Sequence, residues 1–239
     1  MSTYSFMALP MASVFSAFGQ SNTAGKVIAV ILFSGSIVVW SIMAAKLQEV
    51  LRAQKSCRRF LAAYRKTPRS GTLLRRARSA KACPLATLYA HACKPIAPYL
   101  EEDCSGDHGL AMSPVDLKTI ESIAGRTAAD QALALEDGMG FLATATTTAP
   151  FLGLLGTVWG VMEAFMGMGE TALLSAVAPG ISGALMTTVV GLMVALPSAI
   201  GYNTLNSRIR ALAVMMDNFS QELVTDLEQH AAECRSSRA

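Results

Sequence analysis

Three stretches of the chain run without charge for long enough to cross a bilayer. Val27–Ala45 has 19 such residues, Phe141–Met162 has 22 and Thr171–Ser207 has 37. At about 1.5 Å rise per residue, about 20 residues of helix cross a hydrocarbon core of roughly 30 Å. The third run exceeds one span but cannot hold two and a loop, so its membrane part is placed at 177–203. Apolar periodicity continues past the first and third runs. Leu47, Val50, Leu51 and Leu61 recur at helical spacing after the first. Leu205, Leu212, Met216, Phe219, Leu223 and Leu227 do so after the third. Both helices are therefore predicted to extend beyond the membrane.

Charge sets the orientation. Lys46–Lys81 carries twelve Lys and Arg against one acid, Glu49. This run directly follows the first span and marks the cytoplasmic side by the positive-inside rule. Nucleic-acid binding is the other use of a basic run, but topology explains this one more cheaply, and no nucleic-acid partner is expected. Glu163–Glu170 has two acids and no base, which fits an outer loop. Arg208 and Arg210 close the third span on the inner side.

The expectation is an all-α polytopic membrane protein with three transmembrane helices and long cytoplasmic helical extensions. Its segments are a periplasmic start (1–26), a first span (27–45), a cytoplasmic helical region (46–138) and a second span (139–162). A periplasmic loop (163–176), a third span (177–203) and a cytoplasmic C-terminal helix (204–239) follow. In a Gram-negative bacterium this layout places the chain in the inner membrane, with its outer side facing the periplasm. Residues 8–18 read as a short amphipathic helix lying on the membrane. Pro68, Ser70 and Gly71 end the first helix, and Pro84 and Pro95 interrupt a weaker helical stretch over 73–97. Glu101–Gly109 reads as an exposed acidic loop. Ser113-Pro114 is a helix start, with Ser as N-cap and Pro at the first position. One long helix is predicted from there to about 168, with Pro150 the place for a kink.

With 52% hydrophobic and 15% charged residues, the composition agrees with a membrane protein. Five cysteines, in no CxxC pair, support neither a disulfide framework nor a zinc site. His91, His108 and His230 are scattered and read as surface residues. No nucleophile–base pair, metal cluster or phosphate loop appears, so no enzyme activity, cofactor or metal is expected.

The second span is not a plain anchor. Thr144, Thr146, Thr147 and Thr148 crowd its start, and Gly153, Gly156 and Gly160 follow. On the third span Gly180, Ala184, Thr187 or Thr188, Gly191, Ala195 and Ser198 share a face. Small residues let helices in lipid approach closely, and hydroxyls bond to their own helix or a neighbour. Gly153, Gly156, Gly160 and Gly191 are the candidate packing positions. Thr157 and Thr188 are the candidate polar groups at membrane depth. Two readings stay open for them: close packing with hydroxyls bonded to their own backbone, or a polar path through the bilayer.

The stretches APFLGLLGTVWGVMEAF (149–165) and VAPGISGALMTTVVGLMVALPSAIGYN (177–203) resemble the TolQ, ExbB and MotA proton-channel family. The Tyr202–Arg208 run and Asp217-Asn218-Phe219 are more similar to the TolQ branch than to the ExbB branch. The resemblance implies a ring subunit, five copies around two helices of a single-span TolR- or ExbD-like partner that carries a membrane aspartate. Protons would pass between that aspartate and ring threonines, here Thr157 and Thr188. The motion would drive a periplasm-spanning protein of TolA or TonB type. A TolQ-like role in envelope integrity and cell division is expected first, and an ExbB-type role in outer-membrane uptake second. One position departs from the family pattern: Gly183 stands where relatives carry an acid at the start of the third span. A ring without that carboxylate also fits a reading of another class, a non-conducting membrane scaffold.

Overall fold

The computed structural model describes residues 23–66, 71–80, 83–97, 114–167 and 174–236. These form six α-helices: α1 (Thr23–Lys66), α2 (Gly71–Ser79), α3 (Pro84–Ala92), α4 (Pro114–Glu136), α5 (Met139–Met166) and α6 (Leu174–Ser236). A single 3-10 turn, Lys94–Ile96, follows α3. The described residues contain three helices long and apolar enough to cross a membrane, α1, α5 and α6. This is a polytopic helical membrane protein. The expected surface helix at 8–18, the acidic loop at 101–109 and the Ser113 cap lie outside the described residues.

The helix expected over 114–168 is two helices. Asp137 and Gly138 form a turn between α4 and α5, and Gly138 has φ 77°. A left-handed residue cannot continue a right-handed helix, and glycine alone adopts that conformation without a Cβ clash. Pro150 lies inside α5, and Pro179 and Pro197 inside α6, without ending either helix.

The chain divides into two compact units. The membrane unit comprises the described residues up to Ala45 together with Gly138–Thr204, and the polar unit comprises Lys46–Asp137 and the chain from Leu205 onward. α1 and α6 each run through both.

In the membrane unit, Leu32 of α1 packs with Ala149 of α5 and with Val194 and Ala195 of α6. Large apolar side chains face outward: Phe33 and Trp40 on α1, Phe151 and Val158 on α5, Met193 and Ile200 on α6. Their outward position suits lipid tails.

The polar unit is built differently. Leu205, Ile209, Leu212, Met216, Phe219, Leu223 and Leu227 of α6 are all buried, at the three- and four-residue spacing of one helix face. Phe60 and Tyr64 of α1, Tyr89 of α3 and Phe219 form an aromatic cluster with ring centroids 5.0–6.5 Å apart. Edge-on pairs of this kind add to the burial of the rings themselves. The Tyr64 hydroxyl donates to Asp226 at 2.6 Å, and Arg65 clamps Glu222 with two bonds of 2.9 and 3.0 Å. Burial, and then the Asp226 carboxylate, push the Tyr64 pKa above its ordinary value. α2 lays Leu73, Leu74 and Ala77 inward and Arg75, Arg76 and Arg78 outward.

Candidate functional site

α5 and α6 meet through their small residues, and the approach is close enough to exclude a methyl group. A Cβ at Gly153 would lie 2.9 Å from the Thr187 carbonyl oxygen and 3.0 Å from the Thr188 Cα. One at Gly191 would lie 2.6 Å from the Ala149 carbonyl oxygen. Gly156 makes room for the Thr187 side chain, whose Oγ1 would lie 2.5 Å from an added Cβ, and Gly160 makes room for Ala184, whose Cβ would lie 2.7 Å from one. The pairs 149 with 191, 153 with 188, 156 with 187 and 160 with 184 describe two antiparallel helices in contact at backbone distance. In lipid, where tails are as apolar as leucine, such contact is what holds helices together.

The hydroxyls sit on this interface. Thr157 is only 9% exposed and Thr187 only 3%, and Thr188 is half-buried. Thr157 Oγ1 donates to the Leu154 carbonyl at 2.7 Å. Thr187 Oγ1 lies 2.7 Å from the Ala184 carbonyl and 3.1 Å from that of Gly153. Thr188 Oγ1 lies 3.1 Å from the same Gly153 carbonyl and 3.4 Å from Thr157 Oγ1. A hydroxyl has one proton to give, so the shortest contacts assign Thr157 to Leu154, Thr187 to Ala184 and Thr188 to Gly153. Thr188 thereby bonds across the helix pair. The oxygens of Thr157 and Thr188 face one another with lone pairs to spare, a geometry that accepts a water or a passing proton.

The other threonines do something plainer. Thr144, Thr146, Thr147 and Thr148 each donate to a carbonyl three or four residues back in α5. Their donors are satisfied within their own helix.

Thr187 has no role assigned by sequence, although its hydroxyl is as central to the interface as that of Thr188. Adjacent helical residues differ by about 100°, so periodicity alone could not place both on one seam. The close approach at Gly156 makes the room. Glu163 is exposed near the end of α5, and Gly183 is buried. Among the described residues, no carboxylate hydrogen-bonds to Thr157 or Thr188. Among the described residues there is no group of His, Cys, Asp and Glu that could hold a metal.

A sequence profile described as the MotA/TolQ/ExbB proton channel family matches residues 93–218, more than half of the chain. The chain belongs to this family. All of α5, the glycine-lined part of α6 and the Thr157, Thr187 and Thr188 cluster fall inside the matched segment. Members of a proton-channel family move an ion rather than making or breaking bonds in a substrate.

Individual relatives divide between two kinds of protein. The Tol-Pal system protein TolQ of Haemophilus influenzae is 43% identical over 99 residues, 41% of this chain and 43% of that protein. TolQ of Pseudomonas aeruginosa is 43% identical over 90 residues, 37% of this chain and 39% of that protein. The chain thus spans about two fifths of the length of these TolQ proteins. The biopolymer transport protein ExbB of Neisseria meningitidis is 31% identical over 198 residues, 81% of this chain and 87% of that protein.

Proposed function

We propose that this channel-family chain is a ring subunit of a motor driven by the proton-motive force in a bacterial inner membrane, of TolQ type. Its role is then in envelope integrity and cell division. The observation that carries the reading is the sealed α5–α6 seam with two hydroxyl oxygens 3.4 Å apart, Thr157 and Thr188. Threonines relay a proton or hold a water, yet they do not ionise at ordinary pH. A pathway of hydroxyls therefore needs a titrating group from elsewhere. In this reading a single-span partner of TolR or ExbD type brings the carboxylate, a homopentamer brings the threonines, and a TolA- or TonB-like protein takes up the motion. The packing glycines Gly153, Gly156, Gly160 and Gly191 hold the track in shape.

The 43% identity with the two TolQ proteins, over 99 and 90 residues, supports the TolQ role, while an ExbB of Xanthomonas campestris reaches 41% over 91 residues. Coverage favours the second reading, an ExbB-type subunit energising uptake through the outer membrane, because the Neisseria ExbB aligns over most of both chains.

The charge pattern supports an outer N-terminus and an inner C-terminus. A cysteine placed at Gly169 in a cysteine-free background then reacts with an impermeant thiol reagent outside intact spheroplasts, and one at Ser70 does not. The opposite labelling reverses the topology. For the track itself, Thr157→Val and Thr188→Val are each expected to impair partner-dependent envelope function. Native mass spectrometry should still show the wild-type ring. Full function in both variants would leave the threonines as packing residues and favour the scaffold reading.

A further inference from the structure

Among the described residues, the polar unit holds three buried free cysteines, Cys57 on α1, Cys83 before α3 and Cys93 after it. Two of them face each other: the Cys57 and Cys83 sulfurs lie 3.7 Å apart, within reach of one S–H···S hydrogen bond, though 26 residues separate them in sequence. A disulfide needs about 2.05 Å between sulfurs, so a closing movement of about 1.7 Å joins them. We propose that Cys57 and Cys83 form a peroxide-oxidisable dithiol, a site at which a disulfide reversibly ties α1 to the start of α3.

The surroundings divide the labour between the two sulfurs. Cys83 occupies the N-cap position of α3 in extended backbone. No capping hydrogen bond forms there, but backbone N–H groups of the first turn face the sulfur. Its thiol is brought down to about 7, first by the hydrogen bond with Cys57. The N–H groups of Ala86 and Leu85 and the Ser56 hydroxyl act in the same direction, and burial opposes them. Cys57 is pushed up, first by the hydrogen bond with Cys83 and then by burial. Cys93 is pushed up to about 12 by burial and stays a thiol. Cys83 also retains slight access, 3% against 0% for Cys57. The thiolate is the reactive form of cysteine, so Cys83 is the attacking sulfur and Cys57 the resolving one.

The chemistry balances with hydrogen peroxide as oxidant. The Cys83 thiolate attacks one peroxide oxygen, the O–O bond breaks, and hydroxide leaves to be protonated to water. Cys83 is now a sulfenic acid. Cys57 attacks that sulfur, the S–O bond breaks, and the departing hydroxyl takes the Cys57 proton as a second water. Two thiols are oxidised and one peroxide is reduced to two waters. A cellular dithiol reverses the step by exchange. In the orientation proposed above both residues lie in the cytoplasm, where lasting disulfides are rare and transient ones report oxidants.

The test uses the purified full-length chain in lipid nanodiscs, so its outcome is independent of the proposed motor function. Cys104→Ser and Cys234→Ser remove the remaining thiols, and hydrogen peroxide is the probe. Peptide mapping is expected to find a Cys57–Cys83 cross-link, reversed by dithiothreitol, with Cys93 still reduced. The oxidised protein should unfold at a higher temperature than the reduced one, because the link restrains the unfolded chain. In Cys57→Ser, and in Cys57→Ala should the first fold poorly, dimedone should label Cys83. In Cys83→Ser neither a cross-link nor a dimedone adduct on Cys57 should form. A first adduct on Cys57 or Cys93, or a cross-link appearing only in denaturant, would overturn the assignment. So would Cys83 oxidation in the native chain without the cross-link.

Discussion

α6 is one continuous helix packed in two ways. From Gly180 to Ser198 it meets its neighbour through glycine, alanine and hydroxyl side chains, near enough for a Cβ to strike backbone. From Leu205 onward it meets its neighbours through large apolar side chains, with Phe219 set among Phe60, Tyr64 and Tyr89. The difference follows from the solvent. In water, burying a large apolar side chain contributes about 1.5–3 kcal/mol, so bulk is favoured. In lipid that gain vanishes, and helices hold each other by close contact and by hydrogen bonds. The same contrast governs polar groups. Arg65 and Tyr64 reach carboxylates in the polar unit, whereas the described hydroxyls of the membrane seam donate to backbone carbonyls.

The largest effect should come from the bulky half. Phe219→Ala empties the centre of the aromatic cluster, and truncations of this kind cost about 3–5 kcal/mol. Hydrogen exchange on the full chain in detergent should show amides of α3 and of α6 beyond 205 losing protection, with the 149–198 seam unchanged. Equal loss in both regions would mean the two halves do not differ as described.

A smaller effect is expected from adding one methyl group to the seam. Gly191→Ala drives a Cβ against the Ala149 carbonyl, and overpacking of this kind costs about 1–3 kcal/mol. Gly140→Ala is the control, because a Cβ there meets nothing within 4 Å. Standing in the first turn of α5, it should leave stability essentially unchanged. Unfolding by graded addition of a denaturing detergent separates the two, and identical shifts would contradict a seam held by backbone contact.

Much of this contrast was legible in the sequence. The uncharged runs marked the three helices long and apolar enough to cross a membrane, and the spacing of Leu212, Met216, Phe219 and Leu223 announced that α6 continues. The small residues of the second and third spans lay in register by eye. The turn at Gly138 was missed because Ala128–Leu135 keeps a helical pattern up to it, although Asp137-Gly138 is itself a turn dipeptide. The aromatic cluster was hidden because Phe60, Tyr64 and Tyr89 stand among basic residues or short interrupted helices, and only tertiary contact gathers them. Cys57 and Cys83 carried no spacing signal at all. Thr187 shows the limit most clearly: two adjacent threonines cannot be told apart by period, only by which carbonyl each one reaches.

The central claim is that this chain supplies a hydroxyl track and its partner supplies the titrating carrier. It is tested most directly by proton flux in liposomes under a pH gradient, with the purified ring alone and with the ring bound to its single-span partner. A proton moving across about 100 mV releases roughly 2.3 kcal/mol, but only through groups able to carry it. The account predicts that the ring alone leaks no more than empty vesicles, that the partner switches flux on, and that Thr188→Val abolishes it. Steady flux through the ring without its partner, lost in Thr188→Val, would contradict the account.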